Sequence, residues 1–324
     1  MRRVLAITTL CVGLLGSTAT AVAGECIAPA KPKAGFDLTC ELLTAGLRLR
    51  DADAPLLVTS YMPGGIGAVT YNAIITRRNA EPDTLIAFSG GSLFSIAQGR
   101  FGRFGTADVR WLAGIGIDHG VLIVRKDSLL RNLKDLTAAL RRSPDKVVMG
   151  GSGTVGSQDW MKAALVAKAA GVGRNAFRFV GFEGGGEANA ALQKAYVDVV
   201  SGDYSEAIGL IRNGAEIRIL SVLSSERLPH QDPSVPTAGE EGFNIVWPNI
   251  RGLYMGPKVR NADYDRWVEV LDSMLQNPAF AKLRDDRGLL PMAKTGNAFE
   301  AHVRALVAAY QQLLQGDPLL QPQR

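Results

Sequence analysis

Beyond residue 55, short apolar, largely β-branched runs alternate with segments whose apolar positions recur every three to four residues. LLVTSY (56–61) predicts a strand, followed by Pro63-Gly64-Gly65 and a helix to about Arg77. TLIAF (84–88) predicts a second strand, ending in Ser89-Gly90-Gly91-Ser92. VRWLAGIGI (109–117) and GVLIV (120–124) predict two more strands, then a helix at about 130–141. A regular series follows: strand 146–149 with helix 157–170, strand 177–182 with helix 186–195, strand 197–200 with helix 204–213, and strand 217–223. Such alternation means βαβ units and a mostly parallel sheet. In helix 157–170 the stripe is Met161, Ala164, Leu165 and Ala169, with Lys162 and Lys168 at its margin or beyond and Gly171 as the stop. Asp37 is placed to cap a helix carrying Leu38, Leu42 and Leu43. RLPHQDPSVPT (227–237) reads as a connection, and 262–314 as mostly helical.

The N-terminus changes the picture. Arg2 and Arg3 precede an apolar run, Val4 to Leu15, and Ala21-Val22-Ala23 offers a small-x-small cleavage pattern. That is the layout of a secretory signal peptide over residues 1–23, and the run is too short to span a bilayer. The expected location is a bacterial periplasm. Cleavage removes two arginines and no acid, so the net charge falls from +5 to +3. A mild excess scattered among mixed charges argues against nucleic acid as a partner. Cys26 and Cys40 survive cleavage. Two readings stay open for them: a disulfide, worth about 3 kcal/mol in the chain-entropy picture, or two buried thiols.

In a parallel α/β sheet, the loops after the carboxyl ends of the strands share one edge. Here those loops are small and polar: Pro63–Gly65, Ser89–Ser92, Gly150–Ser157, Glu183–Gly186 and Ser201–Asp203. Each is expected to open a helix, whose free N–H groups and dipole favour an anion. Gly151, Gly153 and Gly156 also spell G-x-G-x-x-G, and Glu183 ends the next strand where a ribose-binding acid would sit. Glu183 lies 27 residues beyond Gly156, however, and three glycines follow it. A carboxylate held by amides and hydroxyls fits this edge better than a dinucleotide. Catalytic patterns are missing from the sequence. His119, His230 and His302 are far apart without metal-ligand spacing, and no serine completes G-x-S-x-G. The expectation is a binding protein with no cofactor, metal or catalytic residue.

GSGTVGSQDWMKAALVAKAAGV, RFVGFEGGGEANAALQKAYVDVVSGD and IRILSVLSSERLPHQDPSVPTAGEEGF follow one another in order. Together with YMPGGIGAVTYNAI they resemble the solute-binding receptors of tripartite tricarboxylate transporters, over roughly residues 34–314. The resemblance implies an α/β, two-lobed periplasmic-binding-protein fold (Venus-flytrap, type II) with a mixed, mostly parallel sheet in each lobe. It implies lobe 1 from 24–123 plus 224–324 and lobe 2 from 124–223. It implies a monomer that captures a small di- or tricarboxylate, citrate first, and delivers it to a membrane carrier of one large and one small integral subunit. A receptor reporting to a sensor kinase would share the same cleft.

By position, the resemblance implies a site lined by Gly35, Phe36, Asp37, Pro63, Gly64, Ser89, Gly90, Gly91, Ser92, Ser152, Gly153, Thr154, Gly156, Ser157, Glu183, Gly184 and Asp203. The chain also departs from the family. CIAPAKPKAGFD carries two prolines where a strand runs into a Pro-Gly-Gly loop, so a shortened or distorted first strand is expected. Trp160 stands where many relatives have histidine, either in the core or as a wall against ligand. Arg251 enters a segment usually uncharged, either to meet a ligand carboxylate through paired hydrogen bonds or to bridge a surface acid.

Overall fold

The structure is a computed structural model that describes residues 24–32, 35–50, 57–173, 176–229 and 231–316. The expected signal peptide, His230 and the tail DPLLQPQR lie outside the described residues. The first half contains β1 (Gly24–Ala28), α1 (Gly35–Arg50), β2 (Leu57–Tyr61), α2 (Ala68–Thr76), β3 (Thr84–Ser89), α3 (Gly90–Ala97) and β4 (Arg110–Arg125). Then come α4 (Leu133–Arg142), β5 (Val148–Ser152), α5 (Gln158–Ala169), β6 (Arg178–Phe182), α6 (Gly185–Gln193), β7 (Val199–Asp203), α7 (Tyr204–Arg212) and β8 (Ile217–Val222). The chain returns through β9 (Pro248–Met255) to α8 (Asn261–Leu275), α9 (Pro278–Asp286) and α10 (Gly296–Gly316).

The strands form one path, β2-β1-β3-β9-β4-β7-β5-β6, with β8 also on β4. In the first half-sheet every strand runs one way except β9, and in the second every strand except β4. β4 belongs to both: Arg110–His119 pair with β9, and Gly120–Arg125 with β7 or β8. The sequence predicted two strands here, because Asp118-His119-Gly120 looks like a break. The strand is continuous because Asp118, buried outright, finds partners inside the protein.

Period-two alternation sends neighbouring side chains to opposite faces. In β3, Leu85 and Ala87 join a core with Leu42, Leu271 and Phe280, while Ile86 and Phe88 join one with Tyr71, Trp111 and Phe299. In β4, Leu122 and Val124 face Met149, Trp160 and Met161; Val121 and Ile123 face Leu192, Val197 and Tyr204. Both half-sheets are thus buried on two sides, as parallel sheets require. α10 ties the halves, with Phe299 and Val303 in one core and Leu314 in the other.

β1 is regular and ends at Ala28, upstream of Pro29, so the prolines follow the strand instead of breaking it. Cys26 and Cys40 form a disulfide between β1 and α1. The stripe read on α5 is incomplete. The helix is buried nearly all round in its first half, Lys162 is fully buried, and Ala169 is exposed. α5 is packed by both α4 and the sheet, which a one-stripe pattern cannot show. Among the described residues, no helix is long and apolar enough to cross a membrane.

Candidate functional site

A cavity of about 530 Å³ opens between the two half-sheets. From the first half it is lined by Lys31, Gly35, Phe36, Pro63, Gly64, Ile66, Ser89, Arg100 and Arg251. From the second come Ser152, Gly153, Thr154, Gln158, Asp159, Glu183, Gly184, Gly185, Asp203 and Glu206.

The glycine turn after β5 is held largely by its own chain. Gly153 and Gly156 take positive φ (77° and 85°), which glycine adopts without steric cost. The Gly153 N–H donates to the Phe182 carbonyl (2.7 Å) and the Ser157 N–H to that of Thr154 (2.9 Å). Ser157 Oγ donates to the Ser152 carbonyl (2.8 Å) and accepts from the Trp160 N–H (3.2 Å), capping α5. Asp159 accepts from the Ser152 N–H at 2.7 Å, so the protein supplies its own carboxylate to the turn. α6 starts from Gly184, which supplies no side-chain cap; Gly184 and Gly185 line the cavity, and Glu206 Oε2 lies so near that a Cβ on Gly185 would be 1.9 Å from it.

Beneath the cavity lies a buried charge network. Arg251 donates to Asp118 from Nε (3.0 Å) and Nη2 (2.6 Å), and from Nη2 to Asp203 (3.1 Å). Asp118 also accepts from the Ser205 N–H and hydroxyl. Lys162 Nζ lies 2.8 Å from Asp159 and 3.0 Å from Asp203, and donates to the Gly202 carbonyl at 2.6 Å. Asn249 joins the halves, donating to Asp203 (2.7 Å) and accepting from the Gly90 N–H (2.8 Å). Burial alone would raise the Asp203 pKa, but the charges of Lys162 and Arg251 prevail and hold it below the usual range. Asp159 goes the other way: burial raises it, and Lys162 offsets only part of that. Glu206, on α7, is pushed up to about 8, first by burial and then by the charge of Asp203.

Of the residues predicted for the site, twelve line the cavity: Gly35, Phe36, Pro63, Gly64, Ser89, Ser152, Gly153, Thr154, Glu183, Gly184, Asp203 and Arg251. The others stand behind it. Asp37 is buried and accepts from the Tyr61 hydroxyl (2.8 Å). Gly90 meets Asn249, and Gly91 leaves no room for a Cβ against Gln158 (2.9 Å). Ser92 donates to the Ile66 carbonyl, Gly156 accepts from Gln98, and Ser157 caps α5. Trp160 is core, stacked on Phe177. Arg251 lines the cavity and pairs with two buried acids of the protein instead of a surface acid, and its Nη1 lies so close to Gly35 that a Cβ there would be 2.1 Å away.

Sequence reasoning missed Asp118, Asp159, Lys162, Glu206 and Asn249. The only signal was polar residues at positions the strand and helix patterns should bury, such as Asn249 and Arg251 within PNIRGLYM. Among the described residues, no group of His, Cys, Asp or Glu is arranged to hold a metal ion.

Residues 104–316 match the sequence family described as tripartite tricarboxylate transporter family receptor. No curated protein sequence matches significantly. Solved structures share the fold at low identity. MatC from Rhodopseudomonas palustris with bound malate has a TM-score of 0.77 at 20% identity, over 90% of this chain and 98% of that one. Rpa4515 of R. palustris with adipate gives 0.79 at 18% identity, over 90% and 96%. The periplasmic binding protein BugD gives 0.76 at 19% identity, over 90% and 96%.

Proposed function

Since the chain belongs to the family of tripartite tricarboxylate transporter receptors, we propose that it captures a small carboxylate between its two half-sheets and delivers it to a membrane carrier of one large and one small integral subunit. The family and fold are those of periplasmic solute-binding receptors, not enzymes. On this reading the chain is secreted after cleavage at Ala23, works as a monomer, and has lobe boundaries near residues 124 and 224. No bond is made or broken. Ligand acts by its preference for the closed arrangement of the lobes.

The first turn of α6, which opens on the cavity wall beside Glu206 without an N-cap side chain, carries this reading. Its N–H groups and dipole suit a carboxylate, worth ~0.3–2 kcal/mol per helix end. Glycine at 185 lets Glu206 lie close to the main chain at this end of α6, where a Cβ would come 1.9 Å from its Oε2. Citrate is the first candidate that the resemblance implies, and Arg251 is a cation that could meet one of its carboxylates. Arg251 lines the cavity but also pairs with Asp118 and Asp203, so citrate is kept on a level with shorter acids. Malate and adipate, bound by proteins of the same fold, belong beside it.

Calorimetric titration of the refolded, ligand-free protein tests the proposal with citrate, malate, adipate, acidic amino acids and NAD. One-to-one binding of a carboxylate near micromolar, about −8 kcal/mol, is expected. Binding of NAD alone would overturn the reading and restore the dinucleotide turn.

A further inference from the structure

Among the described residues, three cations line the cavity: Lys31, Arg100 and Arg251. Their surroundings differ. Lys31 pairs with Glu183 and Glu187 (2.8 Å each), and Arg251 pairs with Asp118 and Asp203. No acid among the described residues reaches Arg100. Its side chain makes one hydrogen bond there, from Nη2 to the neutral Val155 carbonyl at 3.0 Å. A guanidinium carries five N–H donors in a rigid fork, so most of the fork and all of its charge stay uncompensated. The pKa directions divide the same way. Hydrogen bonds to Glu183 and Glu187 push Lys31 up. Burial opposes the charge on Arg251, but Asp118 and Asp203 prevail and push it up. Burial is the one influence on Arg100, and it lowers the pKa.

The chain fixes where this arginine stands. α3 ends in a pair of bonds, from the Gly99 N–H to the Ile96 carbonyl (2.9 Å) and from the Arg100 N–H to the Ser95 carbonyl (3.0 Å), with Gly99 at φ 72°. That is the Schellman stop of a helix, and it sets the backbone from which the Arg100 side chain departs. The side chain then crosses from the first half to the turn after β5 in the second. Gly156 makes room for it, since a Cβ there would lie 2.3 Å from Nη2. Its anchor, Val155, directly follows Thr154, which lines the cavity.

We propose that Arg100 is a specificity-determining residue, which receives a second carboxylate of the ligand and so sets a preference for dicarboxylates over monocarboxylates. A carboxylate accepts two parallel hydrogen bonds from such a fork, which neither a carbonyl nor an amide can match in charge and shape. The bond to Val155 keeps the guanidinium against the second half without neutralising it. The proposal rests on the carboxylate reading above and adds the residue that tells one acid from another.

The experiment is calorimetry on the ligand-free protein with each diacid set against its own monoamide: succinate against succinamate, and adipate against adipamate. Size stays close within each pair while one charge is removed. The wild type should bind at least one diacid about tenfold or more tightly than its monoamide. Arg100→Gln should remove that preference, weakening the diacid about tenfold and the monoamide by no more than about twofold. Retained monoamide binding shows in the same titration that the variant is folded. Arg100→Lys, which keeps the charge and loses the fork, should fall between the two. Equal weakening of diacid and monoamide by Arg100→Gln would make the arginine a latch between the halves; it would overturn the specificity role and leave the carboxylate reading standing. A wild type that binds monoamides as tightly as diacids would do the same. Absence of binding by every acid in the set would overturn the carboxylate reading, and the role of Arg100 with it.

Discussion

Arg251 illustrates how a side chain changes meaning with its surroundings. In sequence it is a lone cation in an apolar run; in the fold it is buried between Asp118 and Asp203, with Asn249 holding the second acid from the side. A buried pair adds little net stability over an apolar substitute, but removing one partner strands the other. Arg251→Ala should therefore cost about 3–5 kcal/mol of folding stability, read from the midpoint of urea unfolding. Loss of ligand affinity with stability unchanged would show that the guanidinium serves ligand alone. The identities of Arg251 and Asp203 as wall residues were legible from position. Their mutual pairing was not, because Arg251 and Asp203 come from strands paired with opposite ends of β4 and meet only in the finished fold.

At the scale of elements, alternation of strands and helices recovers β2, β3 and β5 to β8 with small boundary shifts, and divides β4 into two strands. It fails where polarity and burial disagree. β9 was missed because PNIRGLYM carries proline, asparagine and arginine in a strand that lies between β3 and β4. Lys162 was set at the edge of the α5 stripe because lysine normally reaches solvent; three oxygens around its Nζ make burial tolerable. β1 and α1 had a weak pattern, and their disulfide adds a tether. Closing a loop with a sequence separation of 14, the bridge should contribute about 3 kcal/mol. Reduction should lower the urea midpoint by a corresponding amount, whereas Cys26→Ser/Cys40→Ser should be insensitive to reductant. An unchanged midpoint on reduction of the wild type would remove the tether from the account.

For the whole molecule, what matters is how the halves meet across the mouth. Lys31 reaches Glu183 and Glu187, while Gln98 and Arg100 donate to the carbonyls of Gly156 and Val155. The lysine and both glutamates are about half exposed, so their pairing is shielded by solvent and salt. Lys31→Ala should speed ligand release by no more than about fivefold at low ionic strength, followed by stopped flow. At about 0.5 M salt the difference should disappear. An effect that persists there would mean that Lys31 touches the ligand.

Gly120 is where one half-sheet gives way to the other. Its N–H donates to the Trp247 carbonyl and its carbonyl accepts from the Leu223 N–H, both at 2.8 Å, while a Cβ there would press on the Lys162 side chain at 2.6 Å. The junction of the two half-sheets and the buried salt bridges therefore occupy the same few ångströms. A joint built this way is also an electrical contact: whatever alters the charge on Asp203 alters the grip of Arg251 and Lys162 at the place where the half-sheets meet.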